Sequence, residues 1–146
     1  MNQDINELTI EMFQLFEKID IKIAIHTLLI IFGGIVVFHI LILSGLLPYN
    51  LVWGSRLENA SQMRNMEIIS IIINLAVIYI VGMKGGYAKP IIPAKMITIL
   101  LWVFAALFTL NTIGNLFSQN IWETIIFTPL TLLSVLLFIR LAIDKQ

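Results

Sequence analysis

At 146 residues, 59% of them hydrophobic and 12% charged, the chain carries far more apolar surface than a soluble domain, where about half the residues are apolar and about a quarter charged. Nine cationic and nine acidic side chains leave no net charge to attract nucleic acid, and no nucleic-acid partner is expected. The lack of cysteine excludes disulfides, thiolate nucleophiles and cysteine-type zinc or iron–sulfur centres.

Residues 4–20 place Ile5, Leu8, Met12, Leu15, Phe16 and Ile19 at intervals of three and four, with Glu7, Glu11, Gln14 and Lys18 on the other side. This predicts an amphipathic helix. Its five acidic residues (Asp4, Glu7, Glu11, Glu17 and Asp20) face Lys18 alone, so it lacks the basic face that favours anionic lipid. It is expected to cover the cytoplasmic end of the protein, or to serve as an arm for a partner. The acidic start and the absence of a small-residue cleavage site do not read as a signal peptide, and the mature chain is expected to begin at or near Met1.

From Ile23 to Ser55 there is no charged residue, a run longer than the roughly 20 residues that cross the hydrocarbon. A first span is expected at 24–47, stopped by Pro48, with Tyr49 and Trp53 as interfacial aromatics. A second is expected at 65–83, with Gly82, Gly85, Gly86, Pro90 and Pro93 as the breakers that end it. A third at 95–117 and a fourth at 122–143 are separated by a tight turn at 118–120, and Pro129 is expected to bend the last helix. The small residues Gly33, Gly34, Ser44, Gly45, Ala105 and Ala106 read as close-packing positions between helices. The fold class is therefore all-α: a single integral membrane domain over 1–146, an antiparallel four-helix bundle preceded by an N-terminal amphipathic helix.

Short loops that carry Lys and Arg stay in the cytoplasm. Lys18, Lys22, Lys84, Lys89, Lys95, Arg140 and Lys145 lie on the side of the termini, and only Arg56 and Arg64 on the other. Both termini are expected to be cytoplasmic.

That topology puts most intramembrane polar residues toward the outer leaflet. His39 comes roughly 25 Å along the first helix from Lys22 at about 1.5 Å per residue. Glu67, Ser70 and Asn74 form one stripe on the second helix; Asn111, Asn115 and Ser118 form another on the third, and Thr124, Thr128 and Thr131 on the fourth. Lipid satisfies none of these groups, so the stripes are expected to face one another across a polar pocket open to the outside. The candidate ligand-binding residues are His39, Arg56, Glu67, Ser70, Asn74, Asn111, Asn115 and Thr128, with Arg56 pairing with Glu67 or Glu58 or meeting an anionic group. The alternative is that Asn, Ser and Thr are interhelical adhesive needing no ligand, and that Glu67 is an interfacial carboxylate favoured by the helix dipole. Asn74→Leu is expected to destabilise a bundle in which Asn74 faces the interior.

His39 and Glu67 are the one acid–base couple expected within the membrane, but no nucleophile or metal triad accompanies them and no catalytic residue is assigned. His26 and His39 fall on nearly opposite faces of one helix, which disfavours a shared metal, and no cofactor is expected.

The stretch NLVWGSRLENASQMRNMEIISIIIN resembles small four-span bacterial membrane proteins with a WGGRL-type outer turn followed by a helix that opens with Glu and contains Ser and Asn. Trp53, Gly54, Arg56, Leu57, Glu67, Ser70 and Asn74 carry the likeness, and Ser55 departs from the second glycine. The resemblance implies a bacterial plasma-membrane protein with that outer turn, and brings no activity.

The expected role is non-enzymatic: binding a small ligand or lipid in the outer pocket, or assisting a membrane partner. An oligomeric channel or transporter subunit and a small intramembrane enzyme using His39 and Glu67 are the alternatives. The expected partners are membrane lipid and either another copy of the chain or another membrane protein.

Overall fold

The computed structural model describes residue 14 and residues 16–49, 52, 53, 57 and 59–144. Arg56, Glu58 and most of the acidic segment 4–20 lie outside the described residues.

Four long helices make up the described chain: α1 (Ile21–Leu43), α2 (Ala60–Lys84), α3 (Ala94–Leu116) and α4 (Thr128–Ile143), the last entered through a π-helical turn, Glu123–Phe127. With that turn the fourth segment runs 21 residues, and α1, α2 and α3 run 23, 25 and 23, each long and apolar enough to cross a bilayer. No strand occurs among the described residues. The chain is an all-α four-helix bundle and reads as a multi-pass membrane protein.

The helix ends differ from the edges of the charge-free runs, because local backbone chemistry sets them. Asp20 caps α1 by accepting hydrogen bonds from the Lys22 and Ile23 amides at 2.7 and 3.2 Å. Its other end comes before Leu47, at Leu43. Gly45 takes a φ of 80° there, the Leu46 amide donates back to Leu41 O at 3.0 Å, and the Gly45 amide donates to Ile42 O. That is a Schellman closure, which favours glycine because its left-handed residue has no Cβ. Gly86 closes α2 in the same manner, with φ 75° and the Tyr87 amide on Gly82 O at 2.8 Å. At its start α2 extends back to Ala60 because the Asn59 side chain accepts from the Gln62 amide. Pro129 has no N–H to continue an α ladder, and the irregularity takes the form of the π turn immediately before it.

Of the small residues expected to bring helices together, Ala105 alone is buried. Gly34, Ser44, Gly45 and Ala106 are exposed, and a Cβ built on Gly33 or Gly34 would meet nothing within 4 Å. Gly45 serves a turn and not a helix contact.

Helices α1 and α2 pack closely as one hairpin and α3 and α4 as another, while the seams α1–α4 and α2–α3 are looser. The half of the bundle nearer the termini is dry. Phe32, Phe104, Phe108 and Phe138 interlock there, Phe32 and Phe108 edge-to-face at 5.0 Å, above a layer that includes Leu28, Val81, Leu101 and Leu141. At the terminal surface Arg140 and Lys84, both buried, tie the two ends of the chain together. Arg140 Nε donates to Ile19 O at 2.8 Å, Lys84 Nζ donates to Asp144 O at 2.9 Å, and Arg140 also pairs with the Asp144 carboxylate at 3.2 Å.

Candidate functional site

The opposite half, which holds the turn residues 44–49 and 117–122, is built differently. Here the looser seams leave a cavity of about 370 Å³ among all four helices, with Phe108 of the aromatic cluster also on its lining. His39 from α1, Ser70 and Asn74 from α2, Asn111 and Asn115 from α3, and Glu123 and Thr131 from the fourth segment all line it. Three separate polar stripes and one histidine thus share one space. Leu110 and Asn111 line the cavity while exposed, so it reaches the surface of the bundle there.

Glu67 has no exposed surface. A carboxyl so placed needs partners for both oxygens, and it has them. His39 Nδ1 lies 2.6 Å from Glu67 Oε2, and Trp53 Nε1 donates to Glu67 Oε1 at 2.9 Å. The ring of His39 and the indole of Trp53 both line the cavity, so Glu67 holds them from behind. Trp53 has a φ of 60°, a left-handed backbone that costs an L-residue about 1–2 kcal/mol. The bond to Glu67 is what the strained residue gains.

On α2, Asn74 is buried and donates through Nδ2 to Ser70 O at 2.6 Å. A carbonyl only accepts, so this contact fixes the amide orientation and leaves Oδ1 as the other atom. Asn74 Oδ1 is buried with no hydrogen-bond partner among the described residues. Across the cavity Thr131 Oγ1 donates to Phe127 O at 2.8 Å, and Thr112 Oγ1 and Asn115 Nδ2 approach it at 2.8 and 3.4 Å. Glu123, also buried, accepts from Ser118 Oγ at 2.6 Å.

Of the residues singled out in the sequence, His39, Ser70, Asn74, Asn111 and Asn115 line the cavity, and Glu67 stands behind it. Arg56 lies outside the described residues, so its pairing with Glu67 or Glu58 is not described. Thr128 is half-buried and not on the lining; its Oγ1 has no partner among the described residues, and Thr131 takes its place on the wall. Trp53 and Glu123 are contributors not expected in the pocket from the sequence, whereas Thr131 belongs to the stripe expected on the fourth helix. A tryptophan in a turn before a helix that opens with Glu is the one signal available for Trp53, since an indole N–H withdrawn from water needs an acceptor. Among the described residues, no three His, Cys, Asp or Glu side chains meet as metal ligands.

Comparison with protein-family models, with curated proteins and with solved structures found no match.

Proposed function

We propose that this protein binds a small ligand in the cavity of its distal half, in the bacterial plasma membrane, with both termini cytoplasmic and the cavity facing outward. The observation that carries the reading is Asn74 Oδ1, an acceptor buried in the cavity wall with no partner among the described residues. Leaving such an atom unmet costs about 1–3 kcal/mol, and a ligand that donates a hydrogen bond to it recovers that cost. Adhesive between helices is a poorer account of Asn74, because its one bond among the described residues is to a carbonyl of its own helix. The outward orientation rests on seven cations on the terminal side against two on the other, and the bacterial plasma membrane on the likeness to four-span bacterial proteins. Ser70, Asn74 and Asn115 are buried within the bundle, so they do not supply the outer polar face that an oligomeric pore needs.

A second reading, acid–base chemistry on the ligand, is favoured by the 2.6 Å contact between His39 and Glu67. A carboxyl on Nδ1 orients the ring and directs Nε2 to the task, the arrangement general bases use. Binding remains the primary reading, since it needs only the cavity and asks no chemistry of the pair.

The chain has no cysteine, so single thiols can be placed at will. Ile73→Cys and Asn111→Cys on the cavity, with Ile72→Cys and Val103→Cys on exposed apolar faces as controls, are treated in intact cells with a charged, membrane-impermeant thiosulfonate. The cavity thiols are expected to react on the order of ten-fold faster than the controls, because a thiolate forms in water and not in lipid. Unreactive cavity thiols, or reaction only in inverted vesicles, would remove the outward-facing cavity.

A further inference from the structure

A second depression, about 530 Å³, runs along the α1–α4 seam at the same height as the polar cavity. Its lining is apolar throughout, with Ile30, Ile31, Ile126 and Leu130 on its walls and Trp122 toward the distal end. Gly34 lies on it, exposed, with no atom within 4 Å of where a Cβ would stand, so the glycine keeps the groove open. Ile35, Phe38 and Phe127 line both spaces. The partition between the polar cavity and the apolar groove is therefore a single layer of side chains. Phe38 and Phe127 form its centre, ring to ring at 5.2 Å. Both are only partly buried, and Phe127 ends the π turn, an irregularity found frequently at functional sites.

The two spaces ask for opposite chemistries. The cavity wall includes Asn74, whose buried Oδ1 has no partner among the described residues, and His39, paired with Glu67. The groove offers hydrocarbon contact and faces the bilayer, where the molecules at hand carry both chemistries in one. Each space falls within the roughly 300–1,000 Å³ of ligand sites.

We propose that the ligand is a membrane amphiphile whose hydrogen-bond-donating headgroup occupies the polar cavity while its alkyl chain lies in the α1–α4 groove, the Phe38 and Phe127 rings swinging apart to let it pass. This rests on the cavity reading above and names the class of ligand for it. The headgroup donates to Asn74 Oδ1, and the chain enters from the bilayer without crossing water.

The test uses the full chain carrying Ile73→Cys in phosphatidylcholine proteoliposomes, and reads the rate of thiol modification by the charged thiosulfonate. Monooleoylglycerol supplies two hydroxyl donors and a long chain, monobutyrylglycerol the same head on a short chain, and methyl oleate the long chain without a donor. Monooleoylglycerol is expected to slow modification on the order of five-fold, and the other two by less than about two-fold. Filling the groove with Gly34→Leu, or from the opposite wall with Ile126→Phe, is expected to abolish this protection, measured against each variant's own unprotected rate. Either variant suffices if the other does not fold. Equal protection by methyl oleate and monooleoylglycerol overturns the headgroup assignment, and protection that survives groove filling overturns the path of the chain. In both cases a thiol that reacts in the absence of added monooleoylglycerol leaves the cavity reading standing. A thiol that never reacts defeats both.

Discussion

Glu67 is the residue on which the distal half turns, because its two oxygens serve two different elements, the His39 ring of α1 and the Trp53 indole of the turn. Glu67→Leu strands both partners. In detergent micelles its unfolding midpoint is expected to fall by the equivalent of about 1–3 kcal/mol, the cost of leaving buried polar groups unmet, lowered by the weakness of interhelical bonds in membranes. Glu67→Gln keeps an acceptor for Trp53 and offers an N–H to His39, whose ring adapts by changing tautomer. Its loss is expected to stay below about 1 kcal/mol, and losses equal to those of Glu67→Leu would show that shape rather than hydrogen bonding holds the site. Asn74 behaves oppositely. Position in the interior alone predicts that Asn74→Leu destabilises, but the structure reverses the sign, since the substitution removes an acceptor that has no partner among the described residues. The expected midpoint is unchanged or higher, together with loss of monooleoylglycerol protection at the residue 73 thiol. A clear fall in midpoint would mean that Asn74 Oδ1 is satisfied within the protein.

At the scale of elements, the glycines separate backbone need from packing. Gly45→Ala places a Cβ on a left-handed residue and is expected to lower stability by about 1–2 kcal/mol, measured as the unfolding midpoint. Gly33→Ala lies inside α1 with open space around its Cβ, and should be neutral or stabilising by up to about 1 kcal/mol. A larger loss at Gly33 than at Gly45 would restore the helix-contact reading of the first helix. The contrast explains how much of the fold was legible beforehand. Four helices follow from charge-free runs because lipid demands internal backbone pairing, but the ends at Leu43 and Ala60 follow from a glycine closure and an Asn59 cap that hydropathy does not register. The same division holds for the site. His39, Ser70, Asn74, Asn111 and Asn115 were legible because polar groups in hydrocarbon turn toward one another. Glu123 and Thr124 lie in the π turn and Thr128 and Thr131 after it, so a Thr124, Thr128, Thr131 stripe that assumes one regular helix loses its phase between Thr124 and Thr128. The π turn adds a residue at Glu123–Phe127 and rotates everything before it by about 100°. No period read along the chain survives that step.

The molecule as a whole joins a dry half to a polar one, and lipid makes the two respond differently to the same substitution. In a membrane, a side chain leaving the interior does not enter water, so burial contributes through packing alone and not through transfer from solvent. Phe138 is fully buried, in ring contact with Phe32, Phe104 and Phe108, and no lipid reaches it. Phe138→Ala leaves a void that neighbours on two other helices cannot close, and a loss of roughly 2–4 kcal/mol is expected in micelle unfolding. Phe127 is of the same type, but it stands between two spaces that are already open and is only half-buried. Phe127→Ala should cost less than about 1 kcal/mol, since few contacts are lost and hydrocarbon can enter the gap. It should also join the groove to the cavity and admit monooleoylglycerol faster. Equal losses from the two substitutions would mean that both halves are packed alike, and the distal half would then have no room for a ligand.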